Sequence, residues 1–167
     1  MDTSGRKIVK ELTGFLEHEH VPYELLPHFH TESACDEAAA IGIPPAEVAK
    51  TIVLTNGLKF VRAVIPASER LDLRKVHGLF EWWPTLRLAT EAELAGGYPG
   101  FELGAVPPVG GPSGDCVIVD RRLAELDSVV LEAGTHDDSL RVGTRDLLIE
   151  AGALLADICA TAPVQEL

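Results

Sequence analysis

The chain lacks the short motifs that announce the commonest chemistries. No GxSxG elbow, P-loop or GxGxxG is present, so serine-hydrolase, nucleoside-triphosphatase and dinucleotide-binding signatures are missing. There is no HExxH and no CxxC, and no third ligand cluster follows His28 and His30, so no metal and no other cofactor is expected. Cysteines are few and odd in number: Cys35, Cys116 and Cys159 read as reduced core residues of a cytoplasmic protein. No stretch approaches 18 uninterrupted apolar residues, so no spanning helix and no membrane partner is expected. The N-terminus carries Arg6, Lys7, Lys10 and Glu11 where a secretory signal would need an apolar run. Positive charge is also scarce. Fourteen basic against 26 acidic residues leave a net charge of −12, which argues against DNA or any nucleic acid coated by bulk attraction.

What the chain does have is ordinary globular composition, 46% hydrophobic and 24% charged, at a length of 167 residues, read as one domain over 1–167. A chain of that size buries roughly 70% of its unfolded surface and needs no disulfide or metal to hold it. The charge is unevenly placed. Residues 50–87 hold seven basic residues (Lys50, Lys59, Arg62, Arg70, Arg74, Lys75, Arg87) and three acidic ones, a local +4 on a body of −16. A solvated helix face with strand edges accounts for this, as does a landing site for a phosphate-bearing partner.

Hydrophobic spacing predicts a helix over 4–19, with Ile8, Val9, Leu12, Phe15 and Leu16 on one stripe and Asp2, Thr3 and Ser4 available as caps. A strand over 23–26 follows, then a helix capped by Thr31 or Ser33 and stopped at Gly42, and a helical turn from Pro44-Pro45 to Ala49. Residues 51–55 and 59–65 read as a central β-hairpin around Asn56-Gly57 in a type I′ turn. A helix over 72–80 presents Leu73, Val76 and Phe80 and leaves Arg74 and Lys75 to solvent, while Thr90 to Glu93 form a capping box for a helix ending at Gly96-Gly97. Strands at 116–119, 128–131 and 140–142, and a helix capped by Thr144, complete the pattern. Strands and helices mix without βαβ alternation, which predicts an α+β fold with a mixed, largely antiparallel sheet.

Three features stand out as candidate sites. Residues 97–115 hold six glycines and four prolines in nineteen positions, a composition that suits a stiff loop able to aim N–H groups at an anion or carbonyl oxygen, or a rigid connector over the sheet. Lys50 stands between a helical turn and an apolar strand, where it either snorkels from the sheet edge or grips a phosphate or carboxylate beside Thr51. His18 and His20 read as surface residues, His136-Asp137-Asp138 as polar turn residues after Gly134, and Trp82-Trp83 as core or a local lid.

Several segments in order, PPAEVAKTIVL (44–54), KFVRAVIPASERLDLRKV (59–76), LRLATEAELAGGYPGFELGAVPP (86–108), CVIVDRRL (116–123) and VVLEAGTHDDSLRVGTRDLL (129–148), resemble the YbaK/ProX aminoacyl-tRNA deacylase family, which includes the editing domain of bacterial prolyl-tRNA synthetases. The likeness covers roughly residues 5–158. It implies a mixed sheet folded partly round on itself, in a partly barrel-like form, and flanked by helices. It also implies hydrolysis of the ester between a wrong amino acid and the 3′ end of a tRNA, with a prolyl-tRNA synthetase as a further partner. The family's lysine falls on Lys50, followed by Thr51, and its GxxxP loop on Gly104 to Pro108. Its glycine falls on Gly134, and its acidic position on Asp137 or Asp138. On this resemblance Lys50 and Gly104 carry catalysis, and Thr51, His30, Val106, Pro108, Gly134 and Asp137 hold substrate. A binding module without turnover and a hydrolase of small esters or amides are the competing functions. Oligomeric state is not legible from the chain.

Overall fold

Local signals place most of the elements. A computed structural model describes residues 4–81, 83, 85–111 and 114–161. In chain order it contains α1 (Ser4–His18), β1 (Tyr23–Pro27), α2 (Ala34–Ile41), β2 (Val48–Thr55), β3 (Phe60–Pro66), α3 (Leu73–Leu79), β4 (Arg87–Leu88), α4 (Glu91–Gly97), β5 (Cys116–Asp120), α5 (Arg121–Ala124), β6 (Ser128–Glu132), β7 (Asp138–Gly143), α6 (Thr144–Ala151) and β8 (Leu154–Ala156). Ser33 caps α2 by accepting from the Asp36 N–H, and Gly42 ends it at φ 81°, a left-handed conformation that a Cβ would strain. Thr90 and Glu93 close the capping box at the start of α4.

The eight strands of the described residues form one sheet in the order β1-β7-β6-β2-β3-β5-β8, with β4 beside β2. Among the described strands the β1–β7, β7–β6, β2–β3 and β2–β4 pairings are antiparallel, and β6–β2, β3–β5 and β5–β8 are parallel. The fold is α+β with a mixed, mostly antiparallel sheet and flanking helices. Among the described residues the sheet does not close into a barrel, since β1 and β8 remain as its two ends.

Alternation divides the core. Val117 and Val119 of β5 join Val9, Leu12, Leu16, Val129, Leu140 and Leu147 under α1 and α6, while Ile118 between them joins Ala63, Ile65, Val76, Phe80 and Ile158 under α3. Strands buried on both faces carry continuous apolar runs for that reason.

The feature that opens a cavity is a split along β2. Val48 and Ala49 pair with Val130 and Leu131 of β6, and Leu54 and Thr55 pair with Leu88 and Arg87 of β4. Between these two partners, Lys50, Thr51 and Ile52 have no strand on that edge among the described residues. The chain after α4 enters the gap.

Several local expectations are corrected. The hairpin forms, but Thr55 faces Phe60 across a four-residue loop, and Gly57 alone of the Asn56-Gly57 pair has positive φ, so the turn is not type I′. The Asn56 side chain accepts from the Leu58 and Lys59 N–H groups instead, forming a local turn that holds Asn56 at negative φ. The turn after Pro44 stops at Glu47, and residues 48–50 are already strand. Thr144 is the first helical residue of α6 rather than its cap, which is Gly143. Of the cysteines only Cys159 is buried; Cys116 is half-buried and Cys35 exposed. Lys75 is not left to solvent but donates to Asp157 and the Cys159 carbonyl. Asp2, Thr3 and Trp82 lie outside the described residues, while Trp83 packs against Phe80. No described helix is long and apolar enough to cross a membrane.

Candidate active site

A cavity of about 250 Å³ opens at the split in the sheet. Its wall is Ala49, Lys50, Thr51 and Ile52 of β2, facing Gly104 and Val106 of the Gly/Pro loop. The start of α2 supplies Ser33, Ala34 and Glu37, preceded by Glu32, and the end of β6 supplies Glu132. Four of the eight residues expected at a site (Lys50, Thr51, Gly104 and Val106) therefore meet here, although Lys50 and Gly104 are far apart in the chain.

Lys50 is half-buried, and its Nζ donates to the Glu69 carbonyl at 3.1 Å, leaving two N–H donors for another acceptor. Gly104 lies at φ 81°. The Ala105 N–H is taken by the Glu102 carbonyl at 3.0 Å, whereas the N–H groups of Gly104 and Val106 carry no hydrogen bond among the described residues.

Buried Arg62 braces this loop. Its guanidinium forms a fork on Asp115 (Nε to Oδ2 2.7 Å, Nη2 to Oδ1 3.0 Å) and donates to the carbonyls of Pro107 at 2.7 Å and Gly110 at 2.9 Å. Tyr98 donates to the same Asp115 at 2.6 Å and sets its ring 5.4 Å from the guanidinium carbon. Arg62 consequently drops out of the basic landing segment: it is 3% exposed and neutralised inside. Arg87 pairs with Glu93, whose carboxyl is held down at about 2 by that hydrogen bond and by the Thr90 backbone.

The other expected residues lie outside the cavity wall. His30 bridges Glu32 at 2.6 Å and Asp137 at 2.9 Å, and hydrogen bonds to these two carboxylates raise its pKa. Through Glu32 it sits at the rim. Asp138 instead accepts from the Thr135 hydroxyl at 3.1 Å. Gly134 is buried at φ 87°, and a Cβ there would meet Ile8 and Phe101 at 2.7 Å, so it serves packing under α1. Pro108 lines a second cavity with Arg62 and Asp115. His136 is not a solvated turn residue. It is 8% exposed, its Nε2 donates to the Leu103 carbonyl at 2.6 Å, and its ring stands 3.5 Å behind where a Gly104 Cβ would be.

Two acids were not anticipated. Glu37 is fully buried; its Oε1 accepts from the Ser139 hydroxyl, and its Oε2 has no hydrogen-bond partner among the described residues. Glu132 Oε2 is likewise buried without a hydrogen bond, and His136 Nδ1 is 3.9 Å away. Burial, followed by the nearby Glu37, Glu102 and Glu32, pushes the Glu132 carboxyl up to about 8, and burial raises Glu37 as well. A signal existed for Glu37: it shares the helical stripe of Ala34, Ala38 and Ile41, an acid in an apolar row. No group of three or more His, Cys, Asp or Glu among the described residues is arranged to hold a metal ion.

No curated protein matches the sequence of this chain. Among the solved structures that resemble the chain over nearly their whole lengths are the following two. A "hypothetical protein APE2540" has a TM-score of 0.81 at 27% identity, covering 90% of this chain and 99% of that one. A protein described as "a putative trans-editing enzyme for prolyl tRNA synthetase" has a TM-score of 0.80 at 29% identity, covering 92% and 98%. The aminoacyl-tRNA editing domain model matches residues 28–149, a span that contains the whole wall of the cavity and the loop that closes it. The chain belongs to the aminoacyl-tRNA editing domain family.

Proposed function

We propose that this protein is an aminoacyl-tRNA deacylase that clears a small wrong amino acid (cysteine, alanine or serine) from the 3′ end of a tRNA, with tRNA-Pro the expected carrier. The observation that carries the reading is the convergence of Lys50 and the braced loop at Gly104 and Val106 on one cavity. Ester hydrolysis requires a positioned carbonyl, a stabilised oxyanion and a water. The two unspent N–H donors at Gly104 and Val106 suit the carbonyl oxygen, and the ammonium of Lys50 suits the phosphate of the terminal adenosine. Neither Lys50 nor the loop supplies a nucleophile, and the tRNA's own 2′-hydroxyl orients the attacking water. Position, more than proton transfer by side chains, then lowers the barrier.

Size selects the substrate. Ala34, Ala49, Ile52 and Val106 stand around a space of about 250 Å³, room for a small aminoacyl group with the adenosine left outside. One methylene is worth only about 1–3 kcal/mol, so a larger cognate amino acid is refused by exclusion rather than by weaker attraction. The reaction belongs in the cytoplasm, where charged tRNA is made, and a prolyl-tRNA synthetase is the natural companion. Deacylation of a panel of mischarged tRNAs, with Lys50→Ala beside the wild type, tests the reading. Turnover of one or a few small aminoacyl esters, lost in Lys50→Ala with the fold intact, is expected. A flat response across the panel favours a binding module instead, and full activity in Lys50→Ala removes the lysine from the mechanism.

A further inference from the structure

The cavity floor is acidic, which the hydrolytic reading does not use. Lys50 and the loop N–H groups account for a phosphate and a carbonyl oxygen, yet Glu37 and Glu132 both line the same space. Each has an oxygen that is buried and without a hydrogen-bond partner among the described residues. Such atoms are rare in folded proteins, because an unpaired acceptor forfeits its hydration with nothing in return. The arrangement is also deliberate in its geometry. Ser139 holds Glu37 by Oε1, and His28 holds Ser139 at 2.8 Å, which fixes the carboxyl with its other oxygen left over.

We propose that Glu37 and Glu132 form the receptor for the free α-ammonium of the aminoacyl group, so that the site takes esters of free amino acids and refuses N-acylated ones. The inference deepens the deacylase reading and rests on it. An ammonium carries three donors and no acceptor, the complement of two unpaired carboxyl oxygens, and an acyl-blocked nitrogen offers one N–H and no charge. In a cavity of this size the ammonium, the carbonyl and a small side chain leave little room for an added acyl group.

The groups facing the pair are Glu32 before α2, Glu102 in the loop, His136 after β6, His28 after β1, and Lys50 on β2. Without a ligand, burial among neighbouring acids keeps Glu132 protonated near neutral pH. An arriving ammonium reverses that balance, so binding at pH 7 releases a proton from the pair to solvent. No bond is made or broken beyond that proton transfer.

The test uses the full chain and two non-hydrolysable probes, 3′-alanylamino-3′-deoxyadenosine and its N-acetyl derivative, by calorimetry in two buffers of different ionisation enthalpy. The free amine is expected to bind at least tenfold tighter than the acetylated probe and to release protons. Glu37→Gln should weaken the amine by tenfold or more while leaving the acetylated probe within twofold. Equal binding of the two probes to the wild-type protein overturns the receptor, and so does an unchanged affinity for the amine in a folded Glu37→Gln. Parallel assays on alanyl-tRNA and N-acetyl-alanyl-tRNA separate the two layers. Hydrolysis of both at equal rates refutes the receptor and leaves the deacylase reading standing, whereas no hydrolysis across the mischarged panel and no binding of either probe removes both.

Discussion

Replacing Arg62 by methionine tests how the site is held. The guanidinium spends four hydrogen bonds, two on Asp115 and one each on the Pro107 and Gly110 carbonyls, with Arg62 and Asp115 side chains only 4% and 10% exposed. Methionine fills similar volume and offers no donor. It leaves the Asp115 carboxylate with the Tyr98 hydroxyl and strands two loop carbonyls. Removing one partner of a buried pair costs about 3–5 kcal/mol. That is a large part of a typical stability of about 5–15 kcal/mol. At about 2–4 °C per kcal/mol for a chain of this length, the melting temperature should fall by roughly 6–20 °C. Arg62→Lys keeps the charge but not the fork and should fall between. Urea unfolding of Arg62→Met, Asp115→Asn and the double variant gives the coupling, expected above about 1.5 kcal/mol. Deacylation at a temperature where each variant is folded should also drop, because residues 104–106 are reached through the same brace. A loss below about 1 kcal/mol in Arg62→Met, with activity retained, would refute the view that this pair holds the loop.

Further outcomes follow from the same geometry. Since the Glu132 carboxyl is raised to about 8 in the folded protein, that state binds the extra proton, and stability should fall as pH rises from about 4.5 toward 8. Glu132→Gln resembles the protonated acid, so wild type and variant should melt together near pH 5 and diverge in the variant's favour at pH 9; parallel curves would refute the shift. A Cβ on Gly104 meets only the His136 ring, at 3.5 Å, so the cost of Gly104→Ala comes from φ 81° and should be about 1–2 kcal/mol in urea melts, with deacylation lost more completely than stability. Gly104→Ala with full activity would free that residue's N–H of any part in the reaction. Of the basic segment, Lys59, Arg70, Arg74 and Arg87 are exposed to a backbone phosphate, the last two beside Asp72 and Glu93. Two or three such contacts predict a fall in apparent affinity for aminoacyl-tRNA of roughly tenfold between 50 and 200 mM salt. A flat salt profile would exclude that face as the docking side.

What the chain determined by itself is what neighbours in sequence can decide. The stripe Val9, Leu12 and Leu16, the cap at Ser33 (one of the two the sequence offers, with Thr31), the stop at Gly42, and the box at Thr90 and Glu93 each act within a turn or two of the chain. The turn at Asn56-Gly57 shows the margin of that reasoning: the hairpin follows from its flanking strands, while the loop type depended on a side chain accepting two N–H groups. The family resemblance singled out Lys50 and Gly104, and the fold brings the two to one cavity. Beyond that, through-space pairing took over. The two-residue strand β4 and the edge strand β8 have too little sequence for a period, and exist because β2 and β5 offer them an edge. Only the tertiary structure could separate Arg62, buried on Asp115, from the exposed cations beside it in sequence, or bring Glu37 of α2 and Glu132 of β6 into one cavity. Burial and charge pairing depend on which strands lie side by side. The register of Val48 and Ala49 against Val130 and Leu131, two steps long, sets where the sheet parts and hence where the cavity opens.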